Sequence, residues 1–209
     1  MNLSQFKTLP IIGILRGIKP QQVKSLLEAV VDSGLKSIEI TMNTENASDL
    51  IRQMVQEADG RIAIGAGTVL SLDDAKNALD AGATFIVMPT LVKEVMEHCV
   101  KNTIPVFPGA LTPQEIFNAW QAGATMVKVF PAKVFGPSYF KELRGPFSDI
   151  QLLACGGVNA DNIQEYFACG ASAAAFGGSI FRFEWLANGQ FDKITKAIQN
   201  LVETYHSML

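Results

Sequence analysis

Short apolar runs recur along the chain, and glycine marks them in two alternating ways. Four runs end in glycine: PIIGILRG (10–17), IAIGAG (62–67), IPVFPG (104–109) and LLACGG (152–157). Four others follow a small residue and a glycine: SGLKSIEIT (33–41), AGATFIVMP (81–89), AGATMVKVFP (122–131) and CGASAAAFGG (169–178). Continuous apolar runs of this length suit strands covered on both faces. Helical periodicity fills the gaps. Residues 20–33 place Val23, Leu26, Leu27, Val30 and Val31 on one face, with Pro20 at the start and Gly34 just past the end. Residues 46–58, 73–80, 92–101, 113–120, 161–169 and 191–206 behave similarly, with Gly82 and Gly123 placed to end two of them. The segment 138–144 carries the weakest helical pattern.

Eight βα units imply an α/β protein with a parallel sheet. An open doubly wound sheet and a closed (β/α)8 TIM barrel both fit that count. The fourfold alternation favours the barrel, because alternate strands supply alternate layers of its interior. The 209 residues are expected to form a single domain spanning 1–209, with residues 1–8 as a short helix closing the bottom.

Composition narrows the class. Hydrophobic residues make up 48% and charged residues 18%, enough for a large core. A net charge of −3 without basic clusters disfavours nucleic acid and anionic membranes as partners. Cys99, Cys155 and Cys169 are odd in number and form no C-x-x-C pair, so a reducing compartment is expected. The start MNLSQFKTLP lacks the features of a signal peptide, and no apolar stretch reaches about 18 residues. These readings point to the cytoplasm.

Chemistry in a barrel sits at the carboxyl ends of strands, so polar residues there are candidates. Lys128 stands in MVKVFP between two valines. Desolvation of its ammonium is expected to lower its pKa and make it an amine nucleophile; a structural ion pair is the alternative. Glu39, in SIEIT, lies on the second strand as Lys128 lies on the sixth, so the two can converge inside the barrel. It either moves protons for Lys128 or merely neutralises it. Arg16 ends the first strand and either holds a substrate carboxylate or bridges to a surface loop. Thr68 ends the third, as a substrate contact or a helix cap. Two glycine pairs, Gly156–Gly157 and Gly177–Gly178 followed by Ser179, end the last two strands, where many barrels bind phosphate. Lys133 lies in a loop beyond Pro131 and is a weaker nucleophile candidate than Lys128. His98 and His206 have no metal-ligand spacing, so no metal is expected.

Taken in order, ILRG, IEIT, IGAGTVL, VKVFPA, GGV and GGS resemble the 2-keto-3-deoxy-6-phosphogluconate/2-keto-4-hydroxyglutarate aldolases, with the related 6-phosphogalactonate aldolases, from about residue 9 through the last strand. The resemblance implies a class I aldolase on a TIM barrel, usually a homotrimer, acting in carbohydrate metabolism such as the Entner–Doudoroff pathway. No cofactor is implied beyond a Schiff base on Lys128. Cleavage of 2-keto-3-deoxy-6-phosphogluconate to pyruvate and glyceraldehyde 3-phosphate is the implied reaction, with the phosphogalactonate epimer or hydroxyglutarate as alternative substrates. By the same resemblance Glu39 is the acid/base, Thr68 and Pro89 lie by the substrate, and Gly156, Gly157, Gly177, Gly178 and Ser179 hold phosphate. Two departures bear on the substrate. Asn43 stands where phosphogluconate-type members carry arginine in T-x-R-T, and Cys155 stands where they often have threonine. Arg16 matches members that use an arginine in LRG instead. A different phosphate-binding barrel enzyme, of the isomerase or thiamine phosphate synthase kind, and a catalytically silent phospho-ligand barrel are the rivals.

Overall fold

A computed structural model describes residues 1–208. Nine parallel strand segments alternate with helices: β1 (Ile11–Leu15), β2 (Ser37–Thr41), β3 (Ala63–Gly67), β4 (Ile86–Val87), β5 (Val106–Phe107), β6 (Gly109–Ala110), β7 (Val127–Val129), β8 (Leu152–Cys155) and β9 (Ala173–Phe176). Hydrogen-bonded neighbours run β5-β4-β3-β2-β1-β9-β8-β7-β6. The two ends of this order, β5 and β6, are halves of one stave separated by Pro108. Val106 and Phe107 pair with Ile86 and Val87, whereas Gly109 and Ala110 pair with Lys128 and Val129. The sheet is therefore closed through the chain itself, and the open doubly wound alternative is excluded. Proline has no N–H to donate, which accounts for the break.

Helices cover the outside. The main ones are α2 (Val23–Asp32), α3 (Ala47–Ala58), α4 (Leu72–Asp80), α5 (Lys93–Lys101), α6 (Pro113–Gln121), α7 (Pro137–Arg144), α8 (Ile163–Ala168) and α10 (Phe191–His206). Leu26, Leu27 and Val30 of α2 are buried against outward strand residues such as Ile38 and Ile40, while Val31 lies at the edge, half-buried. Gly82 and Gly123 sit just past their helices at φ 101° and 91°, the left-handed geometry that favours glycine. The weakest sequence pattern, α7, is held by tertiary bonds. Arg144 donates to the carbonyls of Gly170 at 2.8 Å and Ile150 at 2.6 Å and to Ser172 Oγ at 3.0 Å.

Inside the barrel, Ile12, Phe85, Val87, Phe107, Met126, Leu153, Ala173 and Ala175 form a separate apolar stack. The short helix α1 (Leu3–Phe6) seals its bottom. Asn2 caps it, and Phe6 lies edge-on to Phe107 with ring centroids 6.0 Å apart. With the lower interior filled, polar groups are confined to the upper end. One further helix, α9 (Phe183–Ala187), follows β9 where no element was expected. Gln22 bonds its Leu186 carbonyl at 2.6 Å, and Arg182 lies 4.6 Å from the Trp185 ring. No helix among the described residues is long and apolar enough to cross a membrane.

Candidate active site

Two of the few buried polar side chains inside this apolar barrel are Lys128, 6% exposed, and Glu39, 1% exposed. Lys128 occupies the middle of β7, in register with Gly109 and Leu153; Glu39 lies on β2, in register with Ile14 and Gly65. Burial pushes the Glu39 carboxyl up to about 7, while the charges of Lys128 and Arg16 draw it back down. Three residues far apart in sequence thus act on one another electrostatically. Yet Lys128 and Glu39 do not form an ion pair within 4.0 Å, and neither bonds a protein nitrogen or oxygen among the described residues. The Cys155 thiol is the side chain that hydrogen-bonds toward Lys128. Lys128 Nζ lies 5.1 Å from the centroid of the Phe130 ring. A purely structural ion pair would have its partners in contact; here they are separated.

Cys155 completes the buried cluster. Burial raises its thiol to about 11, Lys128 pulls against that shift, and Glu39 adds to it. The thiol is therefore neutral at physiological pH, and Glu39 titrates near neutrality. A carboxyl balanced near pH 7 is suited to giving and taking protons.

Glu39 has room only because of Gly67 on β3. A Cβ at Gly67 would fall onto Glu39 Oε1, whereas one at Gly65 would meet the Phe85 ring. Gly67→Ala is expected to displace the carboxylate and lower kcat about 10²-fold, the scale of an ångström's misplacement. Gly65→Ala is expected to act chiefly through overpacking, at about 1–3 kcal/mol of stability. Steady-state rates and thermal melts of both variants check this; equal kcat losses would remove the special role of Gly67.

A cavity of about 650 Å³ reaches Cys155, and its wall includes Arg16, Lys133, Gly156, Gly157, Gly178 and Ser179, while Lys128 and Glu39 do not line it. Arg16 is exposed and makes no hydrogen bond or ion pair among the described residues, so it does not bridge to a surface loop. Its backbone is nonetheless anchored, because the Gly17 N–H donates to Thr44 Oγ1 at 3.1 Å and Thr44 meets Thr41 Oγ1 at 3.0 Å. The glycine pairs differ in kind. Gly156 and Gly157 have φ of 100° and 85°, so their backbone path itself favours glycine. Gly178 has an ordinary φ and nothing within 4 Å of a built Cβ. Its lack of a side chain leaves cavity space empty. Ser179 Oγ donates to the Val158 carbonyl at 2.8 Å, tying the two loops together. The N–H groups of Gly157, Gly178 and Ser179 have no acceptor among the described residues. Free N–H groups beside a cation are the components of an anion site.

Thr68 follows β3 with a left-handed φ of 54°, an uncommon conformation for a β-branched residue. It is not the cap of α4; Ser71 fills that place, accepting from the Asp74 N–H at 3.1 Å. Pro89 ends the β4 run half-buried, its carbonyl packed where a Cβ on Gly109 would lie. Neither Thr68 nor Pro89 lines the 650 Å³ cavity. Gly67 carries no signal in the sequence, because its role is set by a side chain on another strand, and Lys133, in the sequence only the weaker nucleophile candidate, is exposed on the cavity wall. No group of three or more His, Cys, Asp or Glu among the described residues is placed to hold a metal ion.

Comparison with known proteins bears on the family and the fold. The family model described as KDPG and KHG aldolase matches residues 3–197. A 2-dehydro-3-deoxy-6-phosphogalactonate aldolase of Escherichia coli K12 is 36% identical over 175 residues, covering 83% of this chain and 85% of that protein. A native KDPGal structure superposes with a TM-score of 0.89 at 33% identity, covering 95% of both chains. A Legionella pneumophila KDPG aldolase, with pyruvate captured as a covalent carbinolamine, superposes at 0.87 and 25% identity, covering 94% of this chain and 95% of that one.

Proposed function

The chain belongs to the KDPG and KHG aldolase family of class I carbon–carbon lyases, and we propose that it cleaves a 2-keto-3-deoxy-6-phosphohexonate, preferring the galactonate epimer, to pyruvate and glyceraldehyde 3-phosphate through a Schiff base on Lys128. The observation that carries this is the separated, buried Lys128–Glu39 pair next to Cys155, which lines an acid-free cavity.

In the neutral form, Lys128 Nζ attacks the C2 ketone of the substrate. Glu39 protonates the departing hydroxyl of the carbinolamine, and loss of water leaves an iminium. Glu39, now a carboxylate, accepts the C4 hydroxyl proton. The C3–C4 electron pair moves onto C3 and the iminium nitrogen, giving an enamine and free glyceraldehyde 3-phosphate. Protonation at C3 and hydrolysis release pyruvate and return the amine. Arg16 holds the substrate carboxylate, with the Thr68 hydroxyl and Pro89 alongside that end. Gly156, Gly157, Gly177, Gly178 and Ser179 hold the phosphate. Fixing both ends places the middle bond against the reacting pair.

Preference for the galactonate epimer is supported by Arg16, anchored through Gly17 and Thr44, together with Asn43, which is exposed and carries no charge. The Escherichia coli relative at 36% identity acts on that epimer by its name. Measuring kcat/KM for the two epimers side by side tests it. A clear advantage of the galactonate substrate is expected; equal values or an advantage of the gluconate substrate would reverse the assignment.

A further inference from the structure

Lys133 has no part in the scheme above, yet it is built into the phosphate end of the cavity. It lies on the 3-10 turn Ala132–Val134 that follows β7. Two contacts dock this turn on the Gly156–Gly157 loop. The Lys133 N–H donates to the Gly156 carbonyl at 3.1 Å, and a Cβ on Gly157 would stand 2.8 Å from Lys133 Cβ. The lysine stem thus runs across Gly157, and it does so only because Gly157 has no side chain. Its Nζ has no carboxylate within 4.0 Å and no hydrogen bond among the described residues. The cavity wall contains no Asp or Glu, and its charged residues are Arg16 and Lys133. Arg16 projects from the end of β1 and Lys133 from the turn after β7, on opposite sides of the two glycine loops.

A substrate with a carboxylate at one end and a phosphate at the other presents two anionic groups to a wall carrying two cations. The phosphate brings about −1.5 to −2 charges at neutral pH, more than N–H dipoles alone balance. Lysine serves phosphate as a mobile point charge, without the planar fork that favours arginine for carboxylates. We infer that Lys133 binds the phosphate of the substrate and makes the enzyme select phosphorylated over unphosphorylated keto acids. This assignment rests on the proposed function for the identity of the substrate, but not for the presence of an anion site.

The test compares wild type, Lys133→Met, which keeps the stem on Gly157, and Lys133→Arg. Losing a hydrogen bond to a charged group weakens binding about 10- to 100-fold. Lys133→Met is therefore expected to raise KM for the 6-phosphohexonate by about that factor with kcat retained. Its kcat/KM for the same sugar acid without phosphate should be unchanged, and Lys133→Arg should restore most of the loss. Calorimetric titration with inorganic phosphate should weaken in parallel. An unchanged KM in Lys133→Met, equal losses on both substrates, or a wild type that binds no phosphate would each overturn the inference. Borohydride trapping with pyruvate in the same preparations separates the two proposals. If wild type is neither trapped nor active, the aldolase reading fails; a phosphate affinity that still drops in Lys133→Met would uphold the anion site.

Discussion

Lys128→Met is expected to abolish turnover while leaving the barrel as stable as wild type, or more so. The amine is the only group in the proposed scheme that forms a bond to substrate, and without it no iminium exists to accept the C3–C4 electron pair. Loss of a covalent nucleophile removes on the order of 10⁴–10⁶ in kcat. Methionine fills nearly the same volume, so the change leaves no large cavity. It also removes a buried cation that contacts no carboxylate, and replacing such a charge by an apolar side chain is commonly neutral or stabilising. Activity and stability should therefore move apart, which a merely structural ion pair would not allow. Treatment with pyruvate and borohydride should place a reduced pyruvyl group on Lys128 in wild type, with none elsewhere and none in the variant. Retained activity in Lys128→Met, or trapping at Lys133 instead, would end the assignment. A wild type that binds phosphate esters but is never trapped would instead be the silent barrel.

Much of the fold was legible because the staves are both apolar and punctuated. Gly82 and Gly123 end helices where their spacing placed them, and α10 occupies the expected residues 191–206. The break at Pro108 was not legible. IPVFPG reads as one apolar run, and only the ladder shows its two halves bonding to different neighbours. Elements held by distant partners were also faint. The segment α7 depends on Arg144 reaching the β8–β9 region, and α9 buries little besides Leu186.

At the site, charges interrupting apolar strands were the readable signal, and they pointed to Lys128 and Glu39, both of which the fold buries. What escaped was defined by pairs between neighbouring strands and loops. Gly67 looks like any strand-ending glycine until Glu39 occupies the space above it. Thr68 was ambiguous as a cap until Ser71 took that role. Lys133 was set aside because exposure argues against a nucleophile, although exposure is what an anion-binding cation requires.

Glu39→Gln is expected to slow cleavage about 10²–10⁴-fold, the usual contribution of a positioned acid–base group. The same substitution should change how stability depends on pH, and the sign follows from the raised carboxyl. Glu39 moves from an ordinary 4.5 when unfolded to about 7 in the barrel, with desolvation as the leading cause. Below 4.5 it is protonated in both states and costs nothing. Between 4.5 and about 7 the unfolded chain ionises while the folded one holds its proton, so stability falls as pH rises. Above about 7 the loss levels off, at about 3 kcal/mol for a shift of this size. Glutamine cannot ionise, so the variant should gain relative stability across that window and keep the gain at higher pH. Denaturant unfolding of both proteins from pH 4 to 9 measures the difference. In kinetics, the wild-type kcat/KM profile should show an ionisation near 7 that Glu39→Gln lacks. An inflection near 7 that survives in the variant would assign it to another group. A stability difference independent of pH would show that Glu39 is not held protonated by burial, and would leave Lys128 without its proton partner.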